Sequence, residues 1–532
     1  MSGSDVIVVG AGHNGLICAA YLARAGYDTL LVEARSSVGG CASTVEDLGA
    51  RFNICNCDHT LIRGMPLIDE LDLAGYGLDY LENDVSGVYA FYDDHQPWLF
   101  FHDLEATLES LRAALPSEVE NFRRYVDDAL PVASLVLEMA RTTPTAGAIA
   151  RRAMAQRSPS AARRLLDWSR LSLNDVLARY FDDWHVTMPL VSVGPTVWGV
   201  PPEAPGTGLA ALGYASRLLV RTGRPRGGSG ALPAAIRRSF EAAGGRVHCD
   251  GWVSELVVDD GAVTGVRLAD GTRLDAGVVV AACDPQRVFI DWINDPPPSA
   301  RKLVNRWRNR PVHDGYESKV DAVLSELPTH GGSQRLPGGL ELLGPTTVVS
   351  PSPEQLMDAH RLRGEGSVGP APTLLFNIPS ALDDQMLSAS GEHVLSLETL
   401  FTPYDLQGGW PDSTEPQRWL EVWADLMEPG ALPKVDRWRV MTPDRYEREF
   451  AMHRGHTPAF AASPLSTLVG RQPELTRHRT PIDGLYLSGA ATYPGAGIFG
   501  AAGRNTAAAV ERDLTRDPRI RSLRRRLAGV GR

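Results

Sequence analysis

Asp5-Val6-Ile7-Val8-Val9-Gly10-Ala11-Gly12-His13-Asn14-Gly15, followed by Thr29-Leu30-Leu31-Val32-Glu33, is the stretch on which the fold turns. Asp5 to Val9 reads as a short buried strand. Gly10 to Gly15 breaks it before a helical run from Leu16 to Ala25, which Gly26 stops. Thr29 to Glu33 is a second strand, so the unit is β-α-β with parallel strands, the opening half of a Rossmann-type α/β domain. Each glycine of the G-x-G-x-x-G has a purpose: a tight turn at Gly10, close backbone approach to a pyrophosphate at Gly12, and close packing of helix on strand at Gly15. Ala11 and Asn14 lie in the same turn, where unpaired helix amides and the helix dipole favour an anion. Glu33 stands at the spacing of the carboxylate that binds a ribose hydroxyl, and an acid there disfavours a 2'-phosphate and hence NADP.

Working outward, 532 residues are too many for one core, and two interleaved domains are expected. A charge balance of 64 acidic to 53 basic residues, net -11, argues against a nucleic-acid surface and for a small-molecule partner. The six cysteines have no scaffold rhythm and no C-x-x-C pair, so neither a disulfide framework nor a metal site is expected. The N-terminus opens onto a strand without signal-peptide regions, and no apolar run is long enough to span a bilayer. The expectation is therefore a cytoplasmic protein. Arg151, Arg152, Arg157, Arg163 and Arg164, with the basic tail 516–532, are read either as solvated surface or as a peripheral contact with anionic lipid.

The cofactor domain is expected to be discontinuous, in segments 1–81, 222–283 and 473–515. Strands are predicted in the second segment at Val253–Val258, Gly265–Leu268 and Val278–Ala281. In the third, strand Leu485–Ser488, a loop Gly489–Phe499 and a helix Gly500–Leu514 follow one another. Between these lie a helical region, 82–221, and a region 284–472 with strands at Ser318–Leu324, Thr373–Ile378 and His393–Thr399; together they form an interleaved α+β substrate domain.

Glu33-Ala34-Arg35-Ser36-Ser37-Val38-Gly39-Gly40-Cys41-Ala42-Ser43 resembles the extended dinucleotide motif of glutathione-reductase-type flavoproteins. Gly484-Leu485-Tyr486-Leu487-Ser488-Gly489-Ala490, Pro494-Gly495-Ala496-Gly497 and Gly500-Ala501-Ala502-Gly503-Arg504-Asn505 resemble the C-terminal flavin motif of the phytoene desaturase (phytoene dehydrogenase)-like FAD-dependent oxidoreductases. Pro225-Arg226-Gly227-Gly228 is similar to that family's P-x-G-G segment. The resemblance implies noncovalent FAD, with Arg35, Gly39 and Gly40 along the pyrophosphate side and Val253 at the adenine. It puts Gly489, Gly497 and Ala501 at the flavin ring, over the start of the last helix. Ala490 departs from the acidic residue common there, and the C-terminal loop lacks a cysteine for covalent attachment.

The implied activity is transfer of a hydride from a C–H bond of a largely apolar small molecule to flavin N5. Asp58 next to His59 offers a carboxylate that orients an acid or base, and Tyr493 offers a ring-facing side chain; these are the catalytic candidates. His453 and His456 are candidate polar groups of the substrate cavity rather than metal ligands. Trp98, Phe100, Phe101, Trp184 and Trp198 line an apolar tunnel or belong to the core. Two other functions compete. One is an amine-oxidase-like flavoenzyme that reduces O2 to hydrogen peroxide; the other is a non-catalytic module that binds lipid or lipidated protein, of the GDP-dissociation-inhibitor type.

Overall fold

The computed structural model describes residues 3–55, 57–93, 95–143, 159–194, 200–329, 342–457, 460 and 464–516. Two seven-stranded sheets organise them. In the first, strands Leu485–Leu487, Arg273–Ala281, Ser4–Val9, Thr29–Val32 and Arg246–His248 lie side by side and parallel. Val8 pairs with Val280 on one side and with Leu31 on the other. A strand covered on both faces reads as an unbroken apolar run, which is why Val6 to Val9 are all apolar. Val6 and Val8 pack with Leu16, Ile17 and Val510 under the first helix (His13–Arg24) and the last (Ala501–Arg516); Ile7 and Val9 face the opposite core with Val253 and Val279. The expected meander forms from Val253–Asp259, Ala262–Leu268 and Arg273–Ala281, and its last strand continues into the parallel sheet.

The second sheet runs Val435–Met441, Glu317–Leu324, His393–Leu400, Leu374–Asn377, Thr347–Ser350, Val85–Phe91 and Trp98–Phe101. Val85–Phe91 is parallel to Thr347–Ser350, with Val88 opposite Thr347 and Ala90 opposite Val349. The two inserted regions are thus a single α+β unit. Reading 82–221 as helical needs correction at its start, where Val85–Phe91 and Trp98–Phe101 are strands. Val88 to Phe91 are all buried, so period-two alternation is lost there and the signal for a strand with it.

Trp98 and Phe100 are fully buried with Tyr89 and Tyr214, against Phe122 and Tyr125 of the helix Val119–Ala140. They are core rather than tunnel lining. Phe101 is half-buried, Trp184 stacks on His185, and Trp198 lies outside the described residues. So do Arg151, Arg152, Arg157 and the tail beyond Arg516. Of the basic run, Arg164 pairs with Asp128 and Arg163 is exposed. A two-stranded ladder, Tyr80–Glu82 on Gly223–Pro225, joins the chain where it leaves the first sheet's domain to where it returns. Among the described residues no helix is long and apolar enough to cross a membrane.

Candidate cofactor site and the seam between the sheets

The first turn is built for close approach. Gly10 takes φ +95° and donates its N–H to the Val32 carbonyl at 2.8 Å. A Cβ on Gly15 would sit 1.9 Å from the Gly10 oxygen, so only hydrogen fits between helix and turn. A Cβ on Gly12 would meet nothing within 4 Å; the space before the helix N-terminus is open. That N-terminus has no side-chain cap and no acid in its first turn, which leaves its amides for an anionic ligand.

Gly39 donates to the Ala11 carbonyl at 2.8 Å and bridges Gly12, so the second glycine turn lies against the first. A Cβ on Gly40 would come within 3.1 Å of Gly12 Cα. Glu33 is 8 % exposed: Oε2 accepts from Ala11 N–H at 2.7 Å and Oε1 from Arg35 N–H at 3.0 Å. The Glu33 carbonyl accepts from Gly251 N–H at 2.8 Å, two residues before the strand that Val253 begins. The Arg35 guanidinium lies over the Phe450 ring at 4.1 Å and donates to Ser43 Oγ at 3.2 Å.

The two ends of the chain meet at this turn. Asn14 Oδ1 accepts from Gly503 N–H at 3.3 Å, and a Cβ on Gly503 would stand 2.2 Å from the Asn14 backbone carbonyl oxygen, so the first and last helices cross in backbone contact. His13 hydrogen-bonds the Gly497 backbone; burial pushes its pKa down to about 4 and keeps the ring neutral. Ile62 N–H donates to the Ile498 carbonyl at 3.2 Å. Gly489 and Gly497 have positive φ, Ala501 is fully buried at the start of the last helix, and the first turn of that helix has no acid. Ser488 Oγ is buried without a hydrogen-bond partner among the described residues. Open glycine turns, a paired acid at the second strand end and a helix start free of acid fit a dinucleotide whose ring reaches the C-terminal loop.

The family model of the flavin containing amine oxidoreductases matches residues 15–314. The chain belongs to that family. Pyridine nucleotide-disulfide oxidoreductase domain-containing protein 2 of Rattus norvegicus is 28 % identical over 96 % of this chain and 94 % of its own. A limonene dehydrogenase component from Castellaniella defragrans is 27 % identical (96 % and 95 %), and a lycopene-forming phytoene desaturase of Pantoea ananas 26 % (94 % and 97 %). The solved structure of putrescine oxidase with putrescine bound shares the fold, at TM-score 0.62 and 18 % identity over 96 % of this chain and 99 % of that one. The protein is therefore a phytoene-desaturase-like flavin oxidoreductase, an enzyme with FAD as its cofactor.

In this flavin oxidoreductase the Asp58–His59 dyad does not form. Asp58 Oδ1 accepts from Arg224 Nε at 2.6 Å and Oδ2 from Thr346 Oγ1 at 2.6 Å, across the seam between the sheets. Burial alone would raise the Asp58 pKa; the Arg224 charge and these hydrogen bonds hold it below the usual carboxylate range. His59, fully buried, has Nδ1 at 3.0 Å from Tyr80 Oη and Nε2 at 2.8 Å from Ser229 Oγ. Burial, then the neighbouring His13, pushes its pKa down to about 3. Neighbours in sequence, the two side chains point to different partners. Tyr493 is 8 % exposed and meets Phe460 edge to face, with its N–H on the Leu475 carbonyl. His456 packs near His313 and Tyr316, and no trio of His, Cys, Asp or Glu could hold a metal among the described residues.

Sequence reading missed a charged stripe at the same seam. Glu317, Lys319 and Asp321 alternate with Ser318, Val320 and Ala322, the pattern of a strand with one wet face. That face is dry at Lys319 and Asp321, with 0 % and 1 % exposure, while Glu317 at the strand's start is half-buried. Only the chain packed over it removes the water.

Proposed function

We propose that the protein is an FAD-dependent dehydrogenase or desaturase that takes a hydride from a C–H bond of a largely apolar small molecule held at the seam between the two sheets. The observation that carries this reading is the convergence, on the first sheet's domain, of both glycine turns with the C-terminal loop and last helix through the Asn14–Gly503 and Ile62–Ile498 contacts. The names of two relatives, a limonene dehydrogenase component and a phytoene desaturase, support hydrocarbon as the substrate class. Bound FAD supplies a two-electron hydride acceptor at N5. Gly10, Ala11, Gly12, Asn14 and Gly15, with Gly39, Gly40 and Arg35, hold the pyrophosphate side; Glu33 binds the ribose and the backbone at Val253 the adenine. Gly489, Gly497 and Ala501 border the ring, and Tyr493 shields it. Asp58 has a positioning role, fixing Arg224 and Thr346 across the seam.

The six cysteines are free thiols, which supports a reducing, cytoplasmic setting. On the helix Pro159–Trp168, exposed Arg163 and Leu166 support peripheral contact with an anionic lipid surface; failure to cosediment with anionic vesicles at low salt removes that part.

The deciding measurement is anaerobic bleaching of the bound flavin by limonene and by longer polyenes. Bleaching is expected with at least one hydrocarbon, and stoichiometric hydrogen peroxide on readmitting air would make the enzyme an oxidase. Protein that neither carries FAD nor takes it up would overturn the reading in favour of a binding module.

A further inference from the structure

The helix Pro443–Phe450 follows the edge strand of the second sheet, yet one side of it rests on the first sheet's domain. Proline at its first position and Asp444 in its first turn suit a helix start, and Ala451 in the left-handed conformation ends it. Tyr446 and Phe450, one turn apart, share a face. Tyr446 Oη donates to the Ile54 carbonyl at 3.1 Å, and both rings pack about Ile54. The Phe450 ring carries the Arg35 guanidinium at 4.1 Å. Just beyond the helix, Met452 Sδ accepts from the Cys41 thiol at 3.2 Å, and Glu447 Oε1 stands 3.8 Å from Arg287 Nη2. The segment's other side is tied to the second domain: the Arg454 carbonyl accepts from Gly315 N–H at 2.9 Å, and the Arg454 side chain pairs with Asp314 and Asp405.

The groups it touches border the glycine turns. Arg35 and Cys41 flank Gly39 and Gly40, the turn that bridges Gly12. Arg287 follows the strand that ends at Ala281, where Cys283 Sγ would meet a Cβ on Gly10 at 2.9 Å. Arg35 is the cation there without an anion. It is half-buried, its Nη1 donates to Ser43 Oγ at 3.2 Å, and no carboxylate among the described residues lies within ion-pair distance of it. Glu33 is engaged by two amides and Glu449 by Arg445. Burial pulls the Arg35 pKa down, the mark of a charge that its surroundings do not fully compensate. With one flat face on Phe450, the guanidinium keeps its edge of N–H donors, a fork that matches the paired oxygens of a phosphate.

We propose that Phe450 is a cofactor-positioning residue supplied by the substrate domain: it holds the Arg35 guanidinium edge-on to the pyrophosphate of FAD, and the segment Pro443–Met452 is a strap that the cofactor must pass to enter or leave. The inference rests on the assignment of Arg35 to the pyrophosphate side. The C-terminal loop and last helix belong to the cofactor domain itself, whereas the strap comes from the second sheet, so retention of FAD depends on the packing of one domain against the other.

Phe450→Leu tests this, since leucine keeps the apolar packing about Ile54 and removes the ring face. The full chain, stripped of flavin, is titrated with FAD and with ADP, which shares the pyrophosphate and the adenosine. Phe450→Leu is expected to weaken both ligands about three- to tenfold and to speed FAD release by a similar factor, while Phe450→Tyr stays within about twofold of wild type. Because Phe450 acts through Arg35, the same change made in Arg35→Ala should cost nothing further. In the wild type, FAD is expected to slow hydrogen exchange over 443–452, a measurement that needs no variant. Unchanged affinity and release in Phe450→Leu, a full extra loss on top of Arg35→Ala, a loss for FAD without one for ADP, or exchange over 443–452 that FAD does not slow would each overturn the proposal. Wild-type protein that takes up neither ADP nor FAD would instead overturn the placing of a dinucleotide on these turns, and with it the role of Arg35.

Discussion

One methyl group probes the cofactor cradle. In Gly15→Ala the new Cβ would lie 1.9 Å from the Gly10 carbonyl oxygen, backbone that cannot step aside. The variant is expected to lose at least about 1–3 kcal/mol of stability and to purify with little flavin, read from urea midpoints and visible absorbance. Glu33→Ala acts on affinity more than on folding. Its two oxygens organise the Ala11 and Arg35 amides and are assigned to the ribose, so FAD should bind about 10–100-fold more weakly by titration of the apoprotein. Asp58 separates a structural from an acid–base role. Asp58→Ala strands the buried Arg224 cation and should cost about 3–5 kcal/mol, whereas adding Arg224→Met to it should recover part of that loss. Recovery in the double variant would not occur if the loss came from a missing acid or base.

At the scale of elements, the crossing of the first and last helices ties the first glycine turn to the C-terminal helix. Asn14 spans it, accepting from Gly503 and contacting His13. Asn14→Ala is expected to cost about 1–3 kcal/mol and to speed flavin release, with hydrogen exchange rising first in Ala501–Arg516. Exchange rising uniformly over both sheets would show instead that the helix is no separate unit. Elements were legible where periodicity or glycine carried the signal. Asp5 to Val9 forms as Ser4–Val9, Ser318 to Leu324 as Glu317–Leu324, and the helix placed at Gly500 begins at Ala501. Val85–Phe91 escaped because a strand buried on both faces has no alternation to read.

For the molecule as a whole, buried ionisable groups set the pH response. His13, His59 and His478 are held at pKa values of about 4, 3 and 3, below the ordinary 6.5, chiefly by burial. A depressed pKa contributes stability above 6.5 that is lost as pH falls toward the folded value, by about 1.4 kcal/mol per pH unit for each histidine. Glu398 has the opposite sign: its raised pKa favours the fold below its ordinary 4.5, and that contribution is lost as pH rises to about 8. Three histidines outweigh one carboxyl, so the melting temperature should fall between pH 7 and pH 5 by calorimetry. Glu398→Gln should gain stability relative to wild type as pH is raised from 4.5 to 8. By itself the sequence determined the glycine turn between the first strand and helix, the acid at the second strand end and the C-terminal strand, glycine loop and helix, because glycine spacing and strand-helix order are local and survive without neighbours. Tertiary structure alone decided that Asp58 belongs to Arg224 rather than His59, that the two insertions share one sheet, and that the face bearing Lys319 and Asp321 is dry. Those depend on which distant segment covers a side chain, and the covering chain sets both its partner and its solvent.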